Sequence, residues 1–218
     1  DLVHHCGSSL KGEFIYTLTA TEVLTGWTEL EPLRNKAMVW TKAALKGIFG
    51  RIPVPVRRLH TDNGSEFLNA HVQKLCKDMG IERSRSRPYR KNDAPYVESK
   101  NWSMVRAYTG WRRYDTDEEF KILERLLRLV SLRNNLFMPQ MKVVQRQRVG
   151  GKIRKRYEMD IPLNRVLRLQ EVDEKTKSAL IKLRASIDIV ELAEQIEYLV
   201  EELSAAYEKK LRRRKNHR

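Results

Sequence analysis

A chain of 218 residues that is 41% hydrophobic can bury one sizeable core with a smaller appendage, and its apolar runs are far too short to span a bilayer. The net charge of +15 is concentrated: residues 81–170 carry 22 Lys and Arg against 10 Asp and Glu, while the stretches on either side are nearly balanced. Such a local excess points to a polyanionic partner, most simply nucleic acid, rather than to a merely soluble basic surface.

No signal peptide opens the sequence, and the two cysteines, Cys6 and Cys76, are expected to be free buried thiols. His4-His5-Cys6 is not expected to hold zinc, because adjacent ligands alternate sides on a strand and no second ligand pair follows. The sequence begins with Asp rather than Met, in what reads as mid-strand, so a fragment lacking its N-terminus is expected.

From the N-terminus, a strand at Asp1 is followed by Glu13 to Val23, whose aromatic and β-branched residues mark a second strand. Leu24-Thr25-Gly26 turns the chain, and Trp27 to Leu33 completes an antiparallel meander. Asn35 is a plausible cap for a helix from about Lys36 to Phe49, with Val39, Ala43 and Ile48 near one face and Trp40 and Ala44 beside them. Ile52 to Leu59 reads as a strand. Phe67 to Met79 is an amphipathic helix with Phe67, Val72, Leu75, Cys76 and Met79 as its apolar set and Gly80 as its C-terminal stop. A short strand, Ile81 to Arg85, leads into a loop rich in Arg, Pro, Lys and Asn.

Pro95 suits the first turn of the next helix, which should run to about Tyr108 and end at Gly110. Asp115 or Thr116 caps another helix, carrying Phe120, Leu123, Leu126, Leu127 and Val130. Met141 to Tyr157, around Val149-Gly150-Gly151, reads as a basic β-hairpin. Two further helices, Asp173 to Ala185 and Ile189 to Lys210, are separated by the capping pattern Asp188-Ile189-Val190-Glu191. In the second, Leu192, Ile196, Leu199, Leu203 and Ala206 form either a coiled-coil seam or a packing stripe. Three regions are expected: a core over 1–137, a basic β-hairpin-like DNA-binding segment over 138–170 and a helical region over 171–218.

The chemistry centres on His60-Thr61-Asp62-Asn63-Gly64-Ser65-Glu66-Phe67. An Asp that ends a strand before Asn-Gly sits where the backbone must turn, which presents its carboxylate instead of burying it. Exactly this segment, with Asp1-Leu2-Val3-His4-His5-Cys6-Gly7, Gly26-Trp27-Thr28-Glu29, Arg87-Pro88-Tyr89-Arg90-Lys91-Asn92-Asp93 and Val97-Glu98-Ser99-Lys100-Asn101-Trp102, resembles the DDE transposase and retroviral integrase superfamily, in particular bacterial insertion-sequence transposases. The 35 residues between Asp62 and Glu98 match the spacing typical of its retroviral members.

That resemblance implies an α/β, RNase H-like mixed sheet flanked by helices. It implies that Asp1, Asp62 and Glu98 are catalytic and hold two Mg²⁺ (or Mn²⁺) ions, a cation that takes few protein carboxylates and hard oxygen ligands. The activity implied is metal-dependent strand cleavage at element ends and strand transfer into target DNA. A nuclease of the same fold, or a non-catalytic DNA-binding or assembly protein, are the alternatives. Around the acids, Arg87, Arg90, Lys91, Asn92, Asn101 and Arg106 are candidate DNA contacts, as are Lys152, Arg154, Lys155 and Arg156 on the hairpin.

Retroviral relatives often place Lys four residues after the glutamate; Trp102 stands there instead, and is expected to pack in the core or stack on a base. His60 is expected to be structural, Glu66 to be a first-turn helix acid, and Trp27, Trp40 and Trp111 to be core or interface aromatics. DNA, a homo-oligomer in a synaptic complex, no membrane, and a cytoplasmic, nucleoid-associated location complete the expectations.

Overall fold

A computed structural model describes residues 1–87 and 95–216. Three strands, β1 (Leu2–His4), β2 (Tyr16–Thr21) and β3 (Thr28–Leu33), form the expected antiparallel meander, with Leu2 opposite Leu18 and Thr21 opposite Thr28. The β2–β3 turn is held from within. Glu22 accepts the Leu24 and Thr25 backbone N–H groups, both at 2.7 Å, and Gly26 takes φ +82°.

Side-chain alternation divides this sheet into two buried faces. Leu2, Tyr16, Leu18 and Leu33 face α1 (Met38–Arg51) and α2 (Ala70–Asp78); Val3, Ile15 and Leu30 face α5 (Asp117–Leu136) and α8 (Ile189–Asn216). The result is a sheet covered by helices on both sides, the mixed α/β arrangement expected. β4 (Arg58–Thr61) and β5 (Glu82–Arg85) pair in parallel, with α2 as the crossover between them.

Hydrogen bonding nevertheless divides the expected single sheet. β1 bonds only to β2, and β4 only to β5 among the described residues. Between β2 and β4 lies a cavity of about 500 Å³ lined by side chains such as Leu18, Ala20, Val56 and Leu59.

α1 differs from expectation in start and face. Asn35 accepts the Ala37 N–H, but helical geometry begins at Met38, and the buried stripe is Thr41, Ala44, Leu45, Ile48 and Phe49. That is an i, i+3, i+4, i+7, i+8 pattern, and it leaves Val39 and Trp40 exposed. α2 likewise begins only at Ala70, with the Asn69 side chain accepting the Val72 N–H, and Met79 is exposed.

α3 (Pro95–Lys100) continues through a π-helical segment, Asn101–Arg106, into α4 (Ala107–Thr109), and Gly110 at φ +61° ends the run. Thr116 and Glu119 make a full capping box at the start of α5. The stripe Leu192, Ile196, Leu199, Leu203 and Ala206 is buried in the same cluster as Leu123, Leu126 and Leu127 of α5, so it is a packing stripe within one chain. At its far end buried Lys210 bonds the Arg113 carbonyl at 2.6 Å and lies 2.6 Å from Glu119 and 3.1 Å from Asp115. Those partners satisfy a charge that would be costly to bury alone.

The basic hairpin consists of β6 (Gln140–Val149) and β7 (Lys152–Asp160), joined at Gly150-Gly151, both at positive φ. A short helix that sequence reasoning did not foresee, α6 (Pro162–Leu167), follows it. Leu163 and Val166 of α6 are buried with Trp27, Val54 and Leu136. α7 (Glu174–Ala185) has no buried residue. No helix among the described residues is long and apolar enough to cross a membrane, and Cys6 and Cys76 are free thiols.

Candidate active site

The meander places Asp1 at the head of β1. Its backbone exchanges two hydrogen bonds with Thr19, at 2.9 and 3.0 Å, which fixes the register of the residue. One carboxylate oxygen accepts the Leu2 N–H at 2.8 Å. The other accepts the Asn101 side-chain amide at 2.5 Å, across 100 residues of sequence. Asn101 stands three residues after Glu98 on the same helical run, so this bond ties the helix of Glu98 to the strand of Asp1. Among the described residues the buried Asn101 Oδ1 has no partner.

Asp62 follows β4 and is exposed. Its carboxylate accepts the Gly64 N–H at 3.1 Å, closing an Asx turn that holds the acid outward. Asn63 donates to the Ser86 carbonyl at 3.0 Å, and His60 bonds Ser84 and Ser86 at 2.9 and 3.1 Å, which stitches β4 to β5. His60 therefore has the structural place expected of it.

Gly64 leaves room for the end of the Glu66 side chain. A Cβ there would stand 2.7 Å from the Glu66 carboxyl carbon. Glu66 precedes α2 by four residues and is 7% exposed, with Lys36 3.9 Å away. It is thus a buried acid next to the candidate site, not a first-turn helix acid. The clue available in sequence was a glycine two residues earlier.

Glu98 lies on α3; its side chain, and Arg90, Lys91 and Asn92, fall outside the described residues. Arg87 is exposed just beyond β5. Arg106 donates to the Gly110 carbonyl at 3.0 Å and to the His4 carbonyl at 2.7 Å, with Trp111 stacked 4.2 Å from its guanidinium. Asn101 and Arg106 thus both make their bonds within the chain, to the strand of Asp1. Trp102 is 63% exposed and Trp111 69%, in place of the core packing expected for the former. Lys152, Arg154, Lys155 and Arg156 project from β7, exposed along its length.

Among the described residues no three His, Cys, Asp or Glu side chains are close enough to hold a metal. The donors present nevertheless suit a hard divalent cation: two carboxylates, and an orphaned amide oxygen beside one of them.

Residues 1–91 match the family model described as the integrase core domain. An uncharacterized protein of Sinorhizobium fredii is 39% identical over 162 residues, covering 74% of this chain and 46% of that protein. The Pol polyprotein of a radiation murine leukemia virus is 32% identical over 95 residues, covering 43% of this chain and 16% of that one. The chain therefore spans less than half the length of either relative. Among solved structures, the catalytic core domain of BIV integrase aligns with TM-score 0.45 at 22% identity, covering 70% of this chain and 86% of that one.

Proposed function

Because residues 1–91 match the integrase core domain, we propose that the chain carries the catalytic core of a DNA transposase or integrase, with Asp1, Asp62 and Glu98 as its acids. The observation that carries this reading is the bond from Asn101 to Asp1, which couples the strand of the first acid to the helix of the third.

The three carboxylates would hold two Mg²⁺ or Mn²⁺ ions, which supply charge neutralisation and Lewis acidity for in-line displacement at phosphorus. The chain's own contribution is orientation. Asn101 and the Leu2 N–H fix the Asp1 carboxylate, and the Asx turn keeps Asp62 facing solvent where a phosphate can approach. Hydrolysis of one phosphodiester at an element end frees a 3′-hydroxyl. That hydroxyl then attacks a target phosphodiester, forming a new P–O bond as the target's own 3′ oxygen leaves. Arg87, Arg90, Lys91 and Asn92, in the segment that precedes Glu98 in sequence, with Lys152, Arg154, Lys155 and Arg156 on the hairpin, would position the DNA backbone. Joining two element ends in one event calls for more than one copy of the chain.

The test is a strand-transfer assay with a labelled element end, target duplex and Mg²⁺. Wild type should join label to target, and Glu98→Gln should abolish joining while binding DNA nearly as well. Undiminished joining by Glu98→Gln would remove that residue from the site. Cleavage by wild type with no joined product would leave a nuclease.

A further inference from the structure

The helical run 95–109 has a second side. While Asn101 reaches Asp1, Ser99, Lys100 and Ser103 line a groove of about 700 Å³, closed opposite by the hairpin and at one end by the close of α5. Strand register sorts the hairpin's residues. Met141 pairs with Met159, Val143 with Tyr157 and Arg146 with Lys155, and the bulge between Val143 and Gln145 keeps these pairs on one side. From that side Met141, Val143, Arg146, Lys155 and Tyr157 enter the groove wall.

Six cations line it: Lys100, Arg133, Lys142, Arg146, Lys155 and Arg165. Among the described residues Glu22 is the acid that lines it, and its oxygens are engaged by the β2–β3 turn. Among the described residues none of the six has an acid within ion-pair distance, although Lys100, Lys142 and Arg165 are partly or largely buried. Burial, with the Arg165 charge beside it, lowers the Lys100 ammonium to about 8; Lys142 is lowered too, by burial first. Glu22 and Glu158 act on Lys142, and Glu158 on Arg165, whereas Lys100, Arg146 and Lys155, with no ion-paired acid among the described residues, make a seat for an anion.

The remaining wall narrows the anion's identity. Met138, Met141 and Tyr157 are exposed in the groove beside those charges. Duplex DNA turns phosphates outward and stacks its base faces against one another, so it would leave this apolar surface unused. A parted strand offers both phosphates and open base faces.

We propose that this groove binds a single DNA strand, parted from the strand held at the acids by the helix 95–109 that forms the wall between them. Phosphates lie along Lys100, Arg146 and Lys155, and a base stacks on Tyr157. This rests on the function proposed above and adds a path for the strand that is not being joined.

The experiment is fluorescence anisotropy on the full chain, with a labelled single-stranded oligonucleotide and with the same sequence as a blunt duplex, over a salt series. The double variant Lys100→Gln/Arg146→Gln should reduce the log–log salt slope for the single strand by about 1.4 and weaken binding in 0.1 M salt about 25-fold. Tyr157→Ala should weaken single-strand binding about tenfold and leave the salt slope unchanged. Arg154→Gln, on the hairpin's other side, should affect both probes alike. Equal losses on duplex and single strand for the groove variants, or no loss, would overturn the proposal, as would tighter binding of the same sequence as RNA. Circular dichroism confirms that each variant is folded. Failure here would leave the acids' assignment intact if Glu98→Gln still abolishes joining; the converse result would spare the groove and remove the acids.

Discussion

His5 offers a quantitative test of how the strand that carries Asp1 is held. The imidazole is fully buried, bonds Thr17 Oγ1 on β2 at 2.8 Å and packs 5.5 Å from the Tyr114 ring, and its Nδ1 has no partner among the described residues. Burial, reinforced by the Arg106 and His4 charges, lowers its pKa to about 3 from 6.5. A base whose pKa is depressed on folding binds more protons in the unfolded chain, so its neutral form stabilises the fold above pH 6.5, and that contribution is lost as pH falls toward 3. At pH 5 the loss is about 2 kcal/mol relative to pH 7.5. Urea unfolding of wild type and His5→Gln, followed by tryptophan fluorescence from pH 7.5 to 5.0, isolates the effect, because carboxylates and the other histidines titrate in both proteins. Wild type should lose about 2 kcal/mol more than the variant across that range. Parallel stability curves would refute the argument and show that β1 gives His5 access to water.

Asn101→Ala should leave DNA affinity unchanged and lower the joining rate roughly 10- to 100-fold, because about 1.5–3 kcal/mol of charge-assisted bonding to Asp1 is removed; single-turnover kinetics at saturating Mg²⁺ measure it. Gly64→Ala should cost at most about 1 kcal/mol, because the atoms its Cβ meets are the movable end of the Glu66 side chain; thermal unfolding reads it, and Glu66→Ala in the same chain should restore most of any loss. Leu199→Ala, in the buried stripe of α8, should cost about 2–5 kcal/mol in urea unfolding, whereas the same change at exposed Tyr198 should cost little. Charge reversal across Lys152, Arg154, Lys155 and Arg156 should weaken duplex binding and flatten its salt dependence, which filter binding at two salt concentrations would detect.

Much of the fold was legible because its signals are local. Thr116 and Glu119 announce the start of α5 within four residues, the repeat from Leu192 to Ala206 marks the buried side of α8, and Gly150-Gly151 turns the hairpin. The acids could be placed on strand end and helix for the same reason. What sequence could not show depends on distant partners. The Asn101–Asp1 bond spans 100 residues, and Asn101 looked no different from a surface DNA contact. Trp40 and Trp102 are hydrophobic enough to suggest a core position, yet their helices bury neighbouring residues instead. α6 is six residues long, too short for periodicity to reveal it. Lys100, Lys142 and Arg165 are unremarkable as single cations. Only the folding of the hairpin against the helix and α5 brings them together.

Arg165 deserves a mechanical reading. Its guanidinium, buried at the root of the hairpin, donates to the Thr25 carbonyl at 3.1 Å and to the carbonyls of Gln140 and Glu158 at 2.5 and 3.4 Å. One planar group thus clamps both strands of the hairpin to the β2–β3 turn. β6 is ten residues long, a beam of roughly 34 Å fixed at one end, so a tilt of about 10° at the clamp would swing its tip by roughly 6 Å. That displacement approaches two base-pair steps, and a side chain nowhere near the tip would set where the tip lands.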